Sequence, residues 1–199
     1  MGRQVTGRMP FLRRSAGRGV VAAVLILALP LSGCGRAPAP VADGFSLASF
    51  FDGGSFSEGT VRTALVFEEA FTASFRGRRD GDRFRLDEHF RFPDGNRLQR
   101  WDLSRSQAGV YSGTVATEDR EGRLSSPVPV AGWATSDGVV LTYHGHAPGG
   151  GNTLLTFRHV MTDNGDSTVA NRVTISKFGI PIATSRVTFA KSEAALQHR

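Results

Sequence analysis

The chain has 199 residues, a single cysteine and a formal net charge of +6 at pH 7. One cysteine excludes an internal disulfide, so the core must be held by packing alone. Five arginines and no acids lie in the first 33 positions, and the rest has 19 basic against 18 acidic residues, which argues against a nucleic-acid partner.

Residues 1–33 have the composition of a secretory signal peptide. Positive residues precede the apolar run Val20–Leu29, which is too short to span a bilayer as a stable helix. The run leads into Leu31–Cys34, which resembles the lipobox of bacterial lipoproteins, and predicts acylation of Cys34. The alternative is a free cysteine after an ordinary signal peptide. Because no acidic retention signal follows Cys34, the predicted location is the outer membrane of a diderm cell, facing the periplasm.

A short Pro/Ala-rich tether, residues 34–43, separates the acylation site from the predicted domain at residues 44–191. The domain opens with apolar residues at helical spacing between Phe45 and Phe51, followed by Asp52-Gly53-Gly54. This pattern predicts a short helix, and an aromatic helix before a series of strands would close one end of a barrel. Residues 192–199 are interpreted as a polar tail.

From Gly59 onward, alternating apolar residues are interrupted by turn residues at short, regular intervals, and no helical pattern intervenes. A hairpin near Ala64 and one long bent strand both fit residues 60–76, and Pro127 and Pro129 indicate an edge, a bulge or a loop. Such a series predicts an all-β fold, an antiparallel up-and-down meander that closes into a lipocalin-like barrel. A β-sandwich is the alternative. The predicted strands include residues 110–118, 139–147, 153–162, 168–176 and 182–191.

The clearest hairpin signal lies between Phe84 and Leu103, where two alternating runs flank Asp94-Gly95. A type I′ turn at this dipeptide would place Glu88 opposite Trp101. One face of the hairpin is then apolar and the other charged. Three polar residues interrupt the apolar face, and we treat them with the neighbouring tryptophan as candidate ligand-facing or structural residues: Glu88, Arg97, Gln99 and Trp101.

Several motifs together resemble domain-of-unknown-function family 3833, a family of uncharacterised bacterial lipoproteins. They are Phe50–Gly53, Leu86–Phe90 with the following Asp94-Gly95 and Arg100-Trp101, Tyr111–Thr114, Asn171–Gly179 and the closing Val187–Phe189. The resemblance covers residues 50–191 and implies a periplasm-facing lipoprotein with a lipocalin-like barrel. It also implies an association with genes for lipid modification. The chain departs from the family pattern at residues 116–118 and 158–161.

Glu88 has two interpretations. It would be a polar anchor for a ligand head group inside an apolar cavity, or a structural ion pair with Arg97 or Arg172 would offset the cost of its burial. Of these, the ion pair is favoured, because pairing at close range is the usual arrangement of a buried acid.

The sequence offers no support for catalysis or for a bound metal. His144 and His146 lie two apart, with His89 and His159 elsewhere, but no third ligand is defined, so solvated surface histidines are expected. Residues 148–152 lack the lysine and the helix of a phosphate-binding loop, which favours a mobile hairpin tip. We expect no enzymatic activity, no metal and no cofactor.

The leading functional prediction is a lipid-anchored, periplasm-facing binding protein for an apolar ligand, a fatty acyl chain or another lipid, with a role in envelope lipid homeostasis. The alternative is a structural or interaction lipoprotein whose barrel is filled by side chains, and an envelope enzyme is a remote third. The expected partners are the membrane, through the acyl chains, and a lipid or other apolar small molecule. We expect a monomer.

Overall fold

The computed structural model describes residues 39–63, 67–151 and 153–197, so the predicted signal peptide and Cys34 lie outside the described residues. Residues 37–199 form one compact unit. Its helices are α1 (Leu47–Phe51) and α2 (Ala194–Gln197). The strands are β1 (Gly53–Thr63), β2 (Phe67–Asp80), β3 (Arg83–Phe92), β4 (Gly95–Arg105), β5 (Val110–Thr117), β6 (Val128–Ala134), β7 (Gly138–Gly145), β8 (Leu155–Asp163), β9 (Thr168–Lys177) and β10 (Ile180–Ala190).

The ten strands form a closed antiparallel barrel in which each strand pairs with its sequence neighbours and β1 pairs with β10. This confirms the predicted all-β meander and excludes the β-sandwich alternative. Thr63 pairs with Phe67, so a hairpin joins β1 and β2 in place of one bent strand. Closure supplies every strand with two neighbours and leaves no sheet edge exposed.

Helix α1 closes one end of the barrel, as its aromatic spacing predicts. The ring of Phe51 lies 5.1 Å from that of Phe189 and 5.4 Å from that of Phe75. A Cβ atom at Gly77 would lie 1.9 Å from the carbonyl oxygen of Phe51, so α1 can approach β2 this closely only because residue 77 is glycine. Lys191 Nζ donates to two carbonyl groups at the end of α1, which fastens the helix to the barrel.

The two ends of the barrel differ. The segment before α1 lies at the closed end, where the Arg105 guanidinium donates to the carbonyl groups of Val41 and Ala42 and the Val41 N–H donates to Ala134. The opposite, open end is formed by the hairpin β1–β2, the turns β3–β4 and β9–β10, and the loops 118–127 and 146–154. None of the helices in the described residues is long and apolar enough to cross a bilayer.

The β3–β4 hairpin has the predicted faces but a different register. Glu88 pairs with Gln99, and Phe92 pairs with Gly95, so the turn contains Pro93 and Asp94. The prediction of a type I′ turn at Asp94-Gly95 is wrong because the fixed φ of proline favours the first central position of an ordinary turn, and only Gly95 takes a positive φ, of 133°. A shift of two residues leaves every side chain on its predicted face.

The other strands agree with the predicted positions to within a few residues. Pro129 lies in β6, where it pairs with Thr114 of β5, and the β6–β7 ladder begins only at the following Val130. The proline therefore interrupts neither ladder of the closed barrel. Residues 194–197, which the sequence places in a polar tail, form α2, whose Leu196 is buried.

Candidate functional site

Polar side chains cluster inside the barrel, among aromatic and aliphatic residues. They belong to inward-facing positions of seven strands, where hydrophobicity alone would favour an apolar residue. The buried polar residues at these inward-facing positions are Ser55, Ser57, Glu88, Gln99, Thr117, His159, Asn171 and Ser185.

Glu88 is buried without a counter-ion. Its carboxylate accepts one hydrogen bond, from Trp101 Nε1 at 3.3 Å, and no salt bridge to it is found within the described ranges. The expected ion pair is therefore wrong: Arg97 pairs with Asp94, and Arg172 is exposed on the outer face. Burial raises the pKa of Glu88 to about 8, and the bond from Trp101 opposes this shift. At pH 7 this side chain is mostly a neutral carboxylic acid.

His159 faces the same interior, in contrast to the predicted surface location. Strand alternation places it between Phe157 and Met161 on β8, and its ring lies 5.6 Å from that of Trp101. Burial lowers the pKa of His159 to about 4, so the imidazole is neutral at pH 7. The alternation of Phe157, His159 and Met161 was the sequence signal that could have identified this residue.

The histidine is bonded to Asn171, whose Nδ2 lies 3.2 Å from His159 Nδ1. Several buried side-chain atoms have no hydrogen-bond partner within the described part of the chain. They include His159 Nε2, Asn171 Oδ1 and Ser185 Oγ in this region, and Ser55 Oγ and Ser57 Oγ on β1. We call Glu88, His159, Asn171 and Ser185 the polar floor. Asn171 and Ser185 were not among the predicted site residues, and their polar character at inward strand positions was the available signal.

Two other predicted site residues have structural partners. Gln99 Nε2 donates to Thr117 Oγ1 at 2.8 Å and to Tyr143 Oη at 3.3 Å, which satisfies the buried amide. Arg97 lies at the open end, where Nη1 donates to the carbonyl group of Asn96 and Nη2 contacts the Asp94 carboxylate. Among the described residues, neither side chain donates a hydrogen bond to the Glu88 carboxylate.

A cavity of about 80 Å³ lies above the polar floor, toward the open end. Val61, Phe92 and Pro148 surround its outer part and are half-buried. The walls are apolar and the floor is polar; we call this space the mouth cavity. Its remaining lining residues are Phe71, Glu88, Phe90, Gln99, Tyr143, Phe157, His159, Asn171, Val173, Ile175, Ser185, Val187 and Phe189.

A second cavity of about 30 Å³ lies below the floor, toward α1, and Glu88, His159 and Asn171 line it as well. The interior is therefore mostly filled by side chains. Drug-sized ligands occupy pockets of roughly 300–1,000 Å³. The mouth cavity accommodates a small group and not a whole lipid chain.

The loop 146–154 lies over one side of the mouth cavity. The Gly149 N–H donates to the carbonyl group of Glu118 at 3.0 Å, and Arg120 Nε donates to the carbonyl group of Gly149 at 2.8 Å. Gly149 has a φ of 64°, which glycine adopts without strain. The predicted mobile hairpin tip is thus fastened to the neighbouring loop, and Pro148 is held against the cavity.

Large apolar side chains are exposed around the open end, on neighbouring strands and loops. Phe178 is 92% exposed at the tip of β9–β10, and Phe67 is 75% exposed at the start of β2. Lys177 Nζ lies 5.6 Å from the centre of the Phe178 ring. We call the following residues the apolar rim: Phe67, Leu154, Phe178, Ile180 and Ile182.

Within the described residues, no group of three or more histidine, cysteine, aspartate or glutamate side chains is arranged to hold a metal ion. His144 is exposed and bonds to Thr156, and His146 Nδ1 contacts the carbonyl group of Thr153. These two side chains do not converge on a shared partner. The histidine that lies in the candidate site is His159.

Comparison with known proteins supports the resemblance drawn from the motifs. No curated protein matches the sequence. The model of the family described as Protein of unknown function (DUF3833) matches residues 31–191, which include the whole barrel. Because this match spans most of the chain, the protein belongs to the DUF3833 family.

Proposed function

We propose that this protein is a lipid-anchored binding protein of the cell envelope that engages an apolar ligand, a fatty acyl chain or another lipid, at the open end of its barrel. The observation that supports this function most directly is the mouth cavity, whose walls are aromatic and aliphatic. A concave apolar site with a few convergent polar groups is the usual form of a small-molecule site.

The apolar rim extends this surface beyond the cavity. Val61 of β1, Ile175 of β9 and Val187 of β10 line the cavity, and the hairpins of these strands also present rim residues to solvent. A large exposed apolar patch on the surface of a soluble protein often marks an interaction site. A ligand chain too long for the cavity would continue along the rim.

The anchor is proposed from the sequence, and the barrel supports it geometrically. The carbonyl groups of Val41 and Ala42 accept hydrogen bonds from Arg105 at the closed end, which is opposite the rim. The chain therefore leaves the barrel toward Cys34 at the closed end. Four residues lie between Cys34 and Ala39, so the two positions can be at most about 18 Å apart. Acylation of Cys34 would therefore tether the barrel to the membrane through a short connection that joins it at the closed end.

The small cavity volume favours a second candidate function, an interaction lipoprotein with a filled barrel. Barrels of this size can be either filled or hollow, so strand number does not distinguish the two. The unpartnered atoms of the polar floor and the exposed rim favour ligand binding, because the floor atoms line a cavity in which a ligand could supply their hydrogen-bond partners.

The decisive experiment is native mass spectrometry of residues 37–199 after incubation with lipids extracted from bacterial envelopes. This unit contains the complete closed sheet and its core, so it is expected to fold without the preceding residues. Val187→Trp should fill the mouth cavity and abolish the bound lipid mass. The matched control is Arg186→Trp, because Arg186 is the exposed neighbour on the outer face. A clean unliganded mass for the wild-type domain would contradict the proposal.

A further inference from the structure

The polar floor leaves a defined set of hydrogen-bonding atoms for a ligand. Asn171 Nδ2 can only donate, so His159 Nδ1 accepts and the proton of the neutral imidazole is on Nε2. His159 Nε2 is then an unpartnered donor and Asn171 Oδ1 an unpartnered acceptor, within the described residues. Ser185 Oγ can serve in either role. A buried amide or imidazole without a hydrogen-bond partner destabilises the fold, and a ligand that supplies the missing hydrogen bond removes this free-energy cost.

The residues that face these atoms offer no compensating charge. Lysine and arginine are absent from the residues that line the mouth cavity, and Glu88 is their only acid. His159 is contacted by Tyr143 and Asn171 on the two neighbouring strands and by the Trp101 ring from β4, and Glu88 lines the same cavity. Burial keeps Glu88 protonated and His159 unprotonated at pH 7. A phosphate or an ionised carboxylate would lose its hydration here without gaining a counter-ion, which is costly.

The size of the cavity limits what reaches the floor. About 80 Å³ holds a head group and a few carbon atoms, while the apolar walls lead outward to the rim. A ligand whose polar end is at the floor must therefore extend its apolar part through the mouth. This orientation satisfies both ends of the molecule, because the rim side chains cover the emerging chain.

We propose that the mouth cavity selects lipids with a small, uncharged, hydroxyl-bearing head, which enters first and bonds to His159, Asn171 and Ser185. A hydroxyl both donates and accepts, so it can bond to His159 Nε2 and Asn171 Oδ1 together. This inference rests on the proposed binding function and specifies its ligand class. Long-chain alcohols and other hydroxyl lipids fit it, whereas phospholipid head groups do not.

Three probes with the same alkyl chain test this selectivity: 1-decanol, sodium decanoate and decyl phosphate, titrated calorimetrically into residues 37–199 at pH 7. We expect decanol to bind roughly tenfold or more tightly than either anion, since desolvating an unpaired charge costs more than one hydrogen bond contributes. Decanoate binding should strengthen toward pH 5, where the free acid becomes abundant.

Asn171→Leu tests the polar floor, because leucine is similar in size to asparagine but has neither the Oδ1 acceptor nor the Nδ2 group that contacts His159 Nδ1. The variant should lose most of the preference for decanol, and Ser55→Ala should not, because Ser55 is a buried polar residue that does not line the mouth cavity. Equal or tighter binding of the anions by the wild-type domain would overturn the head-group selectivity and leave the binding function standing. Failure of all three probes to bind would contradict both.

Discussion

At the scale of single residues, Glu88 has the most unusual environment in the described chain. It is a carboxyl group enclosed by the core whose one hydrogen bond comes from an indole. A single neutral donor does not offset the loss of hydration, so the neutral acid is the stable form over much of the physiological pH range. The hydrogen bond and the uncharged state together allow this residue to remain in an apolar interior.

Glu88→Gln should remove a pH dependence of stability. Because the folded pKa of Glu88 is raised above its unfolded value of 4.5 to about 8, the protein loses stability as pH rises through this window. The pKa of His159 is lowered to about 4, which makes stability rise between about pH 4 and 6.5 and offsets the Glu88 trend there. Wild type should therefore lose at most about 2 kcal/mol between pH 6.5 and 8.

Glutamine keeps an acceptor for Trp101 Nε1 but does not ionise, so the variant should be nearly flat over this range. Urea unfolding at both pH values measures the difference. His159→Gln serves as the comparison, because it should keep the decline above pH 6.5 and, without the opposing His159 contribution, also lose stability as pH rises from about 4.5 to 6.5. If Glu88→Gln lost as much free energy of unfolding between pH 6.5 and 8 as wild type, a group other than Glu88 would be responsible for the pH dependence.

Trp101→Ala tests the face assignment of the β3–β4 hairpin. Trp101 is 4% exposed and packs edge-on against Tyr143 with the ring centres 5.3 Å apart, so truncation should cost about 3–5 kcal/mol. Its neighbour Arg100 points outward and pairs with Asp87 in a partly exposed salt bridge. Arg100→Ala should cost about 1 kcal/mol or less. Equal losses in chemical denaturation would mean that the two faces are exchanged.

At the scale of secondary-structure elements, the β9–β10 hairpin places a large apolar residue where turn chemistry disfavours it. Phe178 has a φ of 52° and Gly179 a φ of 79°, and a left-handed conformation costs a non-glycine residue roughly 1–2 kcal/mol. Asn-Gly is the preferred pair for such a turn. An exposed phenylalanine at this cost supports the proposal that the apolar rim binds a ligand or a membrane surface.

Phe178→Asn should separate stability from function in this hairpin. The domain should become about 1 kcal/mol more stable, because asparagine tolerates a positive φ. Its binding to vesicles of phosphatidylethanolamine and phosphatidylglycerol should fall, since the rim loses its most exposed ring. Val110→Asn is the control, because Val110 is exposed at the closed end. Unchanged vesicle binding in Phe178→Asn would remove the rim from the proposed function.

At the scale of the whole molecule, the predicted acylation of Cys34 can be tested separately from ligand binding. Replacing Cys34 by alanine should abolish incorporation of a labelled fatty acid into the full chain in a bacterial host, because no other cysteine can be acylated. Gel fluorescence after metabolic labelling provides the measurement, with Ser32→Ala, a change to another small residue, as a control that keeps the label. Label on the alanine variant would contradict the lipobox interpretation.

The sequence by itself determined the strands, their up-and-down order and the two faces of the β3–β4 hairpin. These are local properties: turn residues end each strand, and alternation with period two assigns the faces without knowledge of partners. The same reasoning placed Glu88, Gln99 and Trp101 in the interior. It could not fix the position of the β3–β4 turn, because Pro93-Asp94 and Asp94-Gly95 both suit the two central positions of a turn. The two registers also put the same side chains on each face of the hairpin.

The tertiary structure alone decided which inward residues meet. Glu88, His159, Asn171 and Ser185 belong to four different strands and come together only because the sheet closes, with strand register setting them at one depth. Alternation with Phe157 and Met161 indicates that His159 faces inward, but no local pattern shows which side chains it meets there. Likewise, the partner of Glu88 could not be inferred from charge, because the residue that reaches its carboxylate is a tryptophan.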